Sequence, residues 1–132
     1  MAVTATPIYR QANRVAVAQA STANTNRDGS GTLATVFTAG SNGSQLDHID
    51  ITAAGTTTAG MVRLFIHDGT NARLWKEVLV TALTPSATVK GFASTIDCSE
   101  RSNALYLPSG YSLRAATHNA ESFNVVAVGG DY

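Results

Sequence analysis

Three histidines and several carboxylates are the residues of this chain that could hold a metal ion. His48 and Asp50 stand two positions apart, so on a strand both side chains would point to the same side. His67 precedes Asp68, and His118 stands in a later turn sequence. Histidine nitrogens and carboxylate oxygens are common zinc ligands, but no spacing diagnostic of a metal site is present. We therefore predict no metal site and no cofactor.

Catalysis by paired acids or by a nucleophile is the next chemistry to weigh. A glycosidase needs two carboxylates on either side of the scissile bond. The candidate carboxylates are Asp47, Asp50, Asp68, Glu77, Asp97, Glu100 and Glu121. A chain of 132 residues would have to build both the pair and a sugar cleft from one small domain. Cys98, the single cysteine, has no activating sequence context, and the serines form no Gly-x-Ser-x-Gly motif. We predict that the protein is not an enzyme and has no catalytic residues.

Carbohydrate binding is a more serious alternative, because small β-sandwiches often stack sugars on exposed aromatic side chains. Trp75, Tyr106 and Tyr111 are the candidates for such stacking. The competing interpretation is that Trp75 fills the core or a subunit interface, and we favour it, because large aromatic side chains dominate both environments.

Composition argues against several classes of partner. Nine acidic and nine basic residues give a formal net charge of +0, and charged residues make up 14% of the chain, against about 25% in an average domain. A nucleic-acid-binding domain normally carries a basic surplus, and a membrane-surface protein carries a basic cluster or helix. We therefore predict neither nucleic acid nor membrane as a partner. So little charge also gives little protection against association, which indicates a protein that works inside an assembly.

The elements that position these residues are predicted to be strands. Segments rich in β-branched and aromatic residues alternate with small polar turns at near-regular spacing, as in an antiparallel β-sandwich or jelly roll. The predicted strands are 15–18, 32–39, 46–53, the two strands of a hairpin over 60–80, 88–97, 105–107, 111–117 and 123–128. No helix is predicted, and residues 97–103 are the one segment whose sequence is compatible with a helical turn. We predict an all-β fold of about eight or nine strands, with one domain over residues 12–132 and an extended N-terminal arm over residues 1–11.

The hairpin over residues 60–80 carries large apolar side chains on both of its faces. Asp-Gly at its centre supplies the positive φ that a tight reversal needs. Strict alternation puts Leu74 on the inner face of the return strand, and Phe65, Trp75 and Leu79 on the outer face. Since a lone sandwich buries only one face of each sheet, we predict that the outer face is covered by the arm, a loop or another subunit.

Five segments carry a resemblance to a known group of proteins. They are T-A-T-P-I-Y near the start, S-T-A-N-T-N-R-D-G-S-G-T, T-T-A-G-M-V-R-L-F-I-H-D-G-T-N-A-R-L-W-K-E, L-P-S-G-Y-S-L-R-A-A-T-H-N-A-E-S-F-N-V, and V-G-G-D-Y at the end. Across these segments, which span nearly the whole chain, the protein resembles small virion structural proteins of tailed bacteriophages and prophages.

The resemblance implies a capsid decoration (cement) protein. Such a protein would sit on the outer surface of the head as a homotrimer, bind the major capsid protein, and be synthesised in the cytoplasm of the bacterial host. A tail or head-fibre module that binds a glycan remains the alternative. No catalytic, cofactor-binding or metal-binding residues are implied.

Overall fold

The computed structural model describes residues 9–99 and 104–132, and within them the chain is all β. It forms nine strands and no helix. The strands are β1 (Ala12–Ala20), β2 (Ala34–Thr38), β3 (Ser44–Ala53), β4 (Gly60–His67), β5 (Ala72–Val80), β6 (Ala93–Asp97), β7 (Leu105–Leu107), β8 (Ser112–Thr117) and β9 (Phe123–Asp131). The predicted β-sandwich is confirmed.

Two antiparallel sheets pack face to face, and their strand order is that of a jelly roll. Sheet I has the order β1-β9-β3-β6, with β7 also paired to β3, and sheet II has the order β2-β8-β4-β5. Position by position, β1 corresponds to β2, β9 to β8, β3 to β4 and β6 to β5. This strand order is that of a jelly roll, in which one long antiparallel hairpin folds over to form two sheets joined by Greek-key connections. In consequence β1 and β2 lie at one margin of the sandwich, and β5 and β6 lie at the other.

The core lies between the sheets and is built from the inward side chains of both. Its largest fully buried side chains are Phe37, Leu46, Ile49, Ile51, Val62, Leu64, Val80, Leu107, Leu113, Phe123 and Val125. Phe92 and Phe123 meet edge to face, with ring centroids 6.2 Å apart and an interplanar angle of 84°. Aromatic pairs prefer this geometry, which adds to the stabilisation from burial alone.

β-Bulges decide the direction of several side chains and overturn the strict alternation assumed for them. The register of β2 against β8 shifts between Thr35 and Phe37, so Val36 and Phe37 are both buried. The register of β5 against β4 also shifts, because Leu64 pairs with Lys76 while Phe65 pairs with Leu74. The extra residue in β5 is Trp75, which packs against the main core, whereas Leu74 packs beside Phe65 on the outer side. The predicted faces of Leu74 and Trp75 were therefore wrong.

The hairpin between β4 and β5 turns where the Asp-Gly sequence predicts. Gly69 has φ +96°, a conformation that glycine adopts without the penalty of a Cβ. The Asp68 carboxylate accepts hydrogen bonds from the backbone N–H groups of Thr70 (2.9 Å) and Asn71 (2.7 Å). These bonds lower the pKa of Asp68 below its ordinary value, so the charged form holds the turn.

Two other expectations fall partly outside the described residues or differ from the structure. Residues 1–8 of the predicted arm and residues 100–103 of the segment compatible with a helical turn lie outside the described part. Of the arm, Gln11 donates its backbone N–H to Asp131 (2.7 Å) and thereby continues the β1–β9 ladder. The strand predicted over 88–97 begins only at Ala93, because Ser86 and Val89 bond to each other in a turn.

Candidate functional site

Over residues 15–18, strand β1 turns its valines outward and its alanines inward. Val15 and Val17 are 63% and 67% exposed, whereas Ala16 and Ala18 face inward and pack against the core. β1 lies against β2 at this margin of the sandwich, where small inward side chains let the two sheets approach. The outward valines bury only about a third of their surface in this fold, so they gain little of the stabilisation that burial of apolar surface provides.

Strand β9 doubles the apolar surface that β1 begins. In the register of the two strands, Val15 pairs with Val128 and Val17 pairs with Val126, and side chains opposite each other in such pairs lie about 4.5–5.5 Å apart at Cβ. Val126 and Val128 are half-buried. We call these four side chains (Val15, Val17, Val126 and Val128) the valine face.

The next two strands of sheet I carry carboxylates on the same outer face, with Asp50 beside Val126 and Asp97 one strand further from the valine face, beyond His48. Val126 of β9 pairs with Asp50 of β3, and His48 of β3 pairs with Asp97 of β6. Thr95 Oγ donates to Asp50 Oδ1 at 2.6 Å. Hydrogen bonds from Ser99 lower the pKa of Asp97, so this carboxylate is charged at neutral pH. We call Asp50 and Asp97 the acidic strip.

An ion pair occupies the end of the valine face where β1 begins. Arg10 Nη1 and Nη2 donate to Asp47 Oδ1 and Oδ2 at 2.9 and 3.1 Å, a bidentate arrangement. The aliphatic part of Arg10 crosses Gly130, where a Cβ would lie 2.2 Å from Arg10 Cδ. Glycine at this position therefore lets the arginine lie flat on the sheet. Asp47 is paired with Arg10 here, and nearby Arg14 lies 3.3 Å from Asp131 Oδ1, so this end of the valine face carries balanced charges.

Part of the outer face of sheet II is covered by the chain's own loop over residues 21–33. Phe65, Ala72 and Ala116 form a small buried cluster there, with Leu33 of the loop and Leu74 packed against it. The outer face of the hairpin was predicted to be covered by the arm, a loop or another subunit. Over Phe65, the structure shows a loop. Leu79, by contrast, stays 64% exposed.

Hydrogen bonds within the loop and to sheet II fix the loop over this cluster. The buried Asn24 donates from Nδ2 to the carbonyl oxygens of Ser30 (3.0 Å) and Thr32 (2.9 Å), and its Oδ1 accepts from the N–H of Asn26 (3.0 Å). The backbone N–H of Asn24 donates to Thr117 on β8 at 2.8 Å. The loop is thus held by its own turn structure and by the neighbouring sheet.

Gly29 lets the loop lie directly on strand β5. It has φ +90°, and a Cβ at this position would come within 2.2 Å of the carbonyl oxygen of Ala72. No larger residue fits there without a shift of the loop. Arg27 of the same loop pairs with Glu77 of β5, whose other oxygen lies 3.4 Å from Arg63 Nε without hydrogen-bond geometry.

The histidines weighed as metal ligands lie in three different environments. His48 Nε2 lies 3.5 Å from Asp50 Oδ2 on the outer face of sheet I. His67 Nδ1 accepts the N–H of Gly69 in the hairpin turn, and His118 Nδ1 lies 3.3 Å from Arg63 Nη1. In residues 9–99 and 104–132, no group of three or more His, Cys, Asp or Glu side chains could hold a metal ion.

The carboxylates and the thiol weighed for catalysis are placed as follows. Glu121 Oε1 accepts hydrogen bonds from the backbone N–H and the hydroxyl of Thr58. Glu77 pairs with Arg27 of the loop, and Asp68 accepts the backbone hydrogen bonds of the hairpin turn. Glu100 lies outside the described residues. Cys98 is fully buried, and burial raises the pKa of its thiol, which makes the thiolate scarce at neutral pH.

No protein-family model, curated protein or solved structure matches this chain significantly. Among the described residues, no helix is long and apolar enough to cross a membrane.

The aromatic side chains weighed for sugar stacking are mostly engaged within the fold. Trp75 and Tyr111 are half-buried and pack against the main core. Tyr106 on β7 is 59% exposed and is the one of the three that could offer a ring face. The stacking surface predicted from the sequence is thus reduced to a single tyrosine.

The valine face is the feature that the sequence reading missed. The sequence pattern predicted a strand over residues 15–18 but did not decide which of its side chains lie outside. A signal was present, because the alternation Val-Ala-Val-Ala in β1 is matched by Val126 and Val128 in β9 with small residues between and after them. Only the pairing of β1 with β9 turns these two patterns into one surface.

Proposed function

We propose that this chain is a structural protein of a tailed-phage virion, and that it decorates the outer surface of the head and stabilises adjacent capsomers. The observation that carries the proposal is the valine face. Val15 and Val17, each more than 60% exposed, stand side by side with two further valines on a regular sheet. Contiguous exposed apolar surface on a small domain marks an interaction site.

Composition and architecture support a mechanical function. The chain has few charges and no net charge, so electrostatic repulsion between copies, or between a copy and a partner, is weak. This is compatible with a protein that works within an assembly. Its jelly roll is a two-layer sandwich, an architecture also used by viral capsid domains. Sequence segments resembling phage virion proteins point in the same direction. The partner would be the major capsid protein, and the location would be the capsid surface.

Stabilisation of the head would come from repetition. A single contact of modest affinity, made at every equivalent site of the shell, resists expansion because detaching one copy leaves its neighbours in place. Copies that also touch one another would bind with an effective concentration set by the lattice. The protein would then act as a clamp between capsomers and would need no chemistry of its own.

The proposal is tested by adding purified protein to heads that lack it, made from the genome that encodes the chain. Binding is measured by co-sedimentation, and head stability by the temperature at which DNA becomes accessible to dye. We expect saturable binding and a higher release temperature. Val17→Asp should weaken both effects, whereas Thr35→Asp, which introduces the same carboxylate at an exposed strand position on sheet II, should not.

Failure to bind such heads would overturn the proposal. Binding to host polysaccharide in place of heads, lost on Tyr106→Ala, would instead indicate the glycan-binding fibre module.

A further inference from the structure

An open cavity of about 400 Å³ lies on the outer face of sheet II, between the loop over residues 21–33 and the turn of the β4–β5 hairpin. Its volume is within the range of small-molecule sites, about 300–1,000 Å³. Loop residues 28–31 and 33 form one wall, hairpin residues 67 and 70–73 form the other, and Arg114 of β8 lies between them. Sites for apolar ligands are lined mainly by hydrophobic side chains. The mostly polar lining of this cavity therefore favours a polar ligand.

Arg114 offers the cavity a guanidinium group whose outer nitrogens have no partner in the fold. The side chain is half-buried, and its Nε donates to Ser112 Oγ at 3.3 Å. Within residues 9–99 and 104–132, Nη1 and Nη2 make no hydrogen bond and no ion pair with a carboxylate. The planar guanidinium fork matches the two oxygens of a carboxylate, which it binds through two parallel N–H donors. The unpartnered side of Arg114 therefore suits a carboxylate ligand.

The hairpin supplies further donors on the opposite wall. His67 Nδ1 accepts the N–H of Gly69 at 3.1 Å, so the neutral ring carries its proton on Nε2 and can donate it. Arg73 and Asn71 also line the cavity. Arg73 pairs with no carboxylate of the residues that the structure describes, and Asp68 is engaged by the N–H groups of the turn itself. Donors from two strands and a turn thus surround one space.

One carboxylate, Asp28, lies in the same cavity and restricts which anion fits. Ser30 donates its backbone N–H (3.0 Å) and its hydroxyl (2.6 Å) to Asp28 Oδ1. These bonds lower the pKa of Asp28, so the group is charged at neutral pH. Its negative charge disfavours a ligand with two charges, such as phosphate, because like charges in one site are a means of rejecting the wrong partner. Asp28 Oδ2 is available to accept a hydrogen bond from a ligand hydroxyl.

We propose that this cavity binds a sugar acid, such as a uronic acid residue of an acidic polysaccharide. The sugar carboxylate pairs with Arg114, and the sugar hydroxyls bond to Asp28 and to the polar groups of the hairpin. Leu33, at the edge of the cavity, offers an apolar surface to the C–H groups of the sugar ring. A sugar acid matches both halves of the lining, because it joins one negative charge to several hydroxyl groups.

The site goes beyond the proposed function and does not depend on it. The cavity is on the outer face of sheet II, whereas the valine face is on the outer face of sheet I. A copy that binds a head through the valine face would therefore present the cavity to the solution. The acidic strip of sheet I carries charge of the opposite sign, so an anionic sugar is directed to sheet II.

The test is a titration of the full, ¹⁵N-labelled chain with glucuronate at pH 7, followed by amide chemical shifts. We expect saturable shifts in residues 28–33 and 67–73. Glucose is the matched neutral sugar, and it should bind at least about tenfold more weakly, since a hydrogen bond to a charged group contributes that much. No saturable shift with glucuronate at high millimolar concentration would overturn the proposal. Equal affinity for glucose or for inorganic phosphate would also overturn it, because the cavity would then not recognise a sugar acid.

Variants at the cavity identify the groups that bind the sugar. Arg114→Lys keeps the charge but removes the planar fork, so it should weaken glucuronate binding about tenfold and leave the affinity for glucose unchanged. Asn71→Ala, at an exposed position of the turn, should weaken binding of both sugars without altering the core. Lys90→Gln removes an exposed cation outside the cavity and should have no effect. Thermal melts show that each variant is folded. Unchanged glucuronate binding in Arg114→Lys and Asn71→Ala would refute the site.

The sugar titration and the head-binding experiment fail separately. A chain that binds heads but not glucuronate would keep the proposed function and remove the sugar site, and the reverse result would do the opposite. Tyr106→Ala should leave glucuronate binding intact, because Tyr106 belongs to β7 in sheet I. Loss of binding in that variant would place the sugar on sheet I and contradict the proposal.

Discussion

Asn24 is the side chain on which the loop over residues 21–33 depends most, and Asn24→Ala tests that dependence. The substitution removes two bonds donated by Nδ2 and one accepted by Oδ1, at 2.9–3.0 Å, from a residue that is 5% exposed. Each such bond contributes about 1 kcal/mol net. Because water can reach some of the freed backbone groups in an exposed loop, we expect a loss of about 2–3 kcal/mol in the free energy of unfolding.

Urea denaturation followed by tryptophan fluorescence measures this loss, and a thermal melt checks it. For a domain of this size about 3–5 °C accompanies each kcal/mol, so the melting temperature should fall by roughly 6–15 °C. Hydrogen exchange should rise in the loop first, since the loop opens before the sandwich. Asn26→Ala is the matched control, because Asn26 contributes its backbone N–H to the turn, and it should change stability by less than about 0.5 kcal/mol. If Asn24→Ala costs no more than this control, the loop is not held as described.

Three further predictions concern packing and charge. Cys98 should react with iodoacetamide far more slowly in the native than in the urea-unfolded protein, because burial raises its pKa and blocks access; equal rates would contradict its burial. Gly29→Ala should destabilise the fold by about 2–4 kcal/mol, from the positive φ and the clash with β5, whereas Gly55→Ala, with open space around it, should be nearly neutral in a urea titration. The pKa of Asp68 is lowered in the folded state, so its contribution is present above its ordinary value of 3.8 and is lost as the pH falls below that value. Asp68→Asn should therefore be less stable than the wild type at pH 7, and the difference should shrink in melts between pH 4 and pH 2; a constant difference would show that the charge is not what matters.

Local sequence signals predicted the parts of the fold that local chemistry decides. The hairpin turn at Asp68 and Gly69 forms because a short acceptor side chain and a residue without Cβ stand next to each other, and both features are legible in the sequence. The number of strands and the sandwich class followed from the same kind of pattern. Where a strand's end depends on a turn without glycine or proline, as at Ser86 and Val89, the predicted start of β6 was too early.

Side-chain direction was less predictable because it depends on register. A shift of one residue moves every following side chain to the other face. The bulge in β5 exchanges the faces of Leu74 and Trp75, and the bulge in β2 buries both Val36 and Phe37. Neither strand contains a glycine or another local sequence pattern that predicts a bulge.

The candidate interaction surface could not be found from local sequence for the same reason. Val17 and Val126 are more than a hundred positions apart in the chain and become neighbours only through the pairing of β1 with β9. A period-two pattern shows that alternate residues share a face of the strand. It does not show which of the two faces lies against the core. The usual expectation that valine lies inside and alanine outside gives the opposite orientation for β1.

The proposal that this chain decorates phage heads is best tested by cryo-microscopy of heads produced from the genome that encodes it. We expect jelly-roll density on the outer surface of the head, with Val15 and Val17 buried against another protein chain and capsomers bridged beneath. Density for the protein elsewhere on the particle, or heads that contain none of it, would refute the proposal.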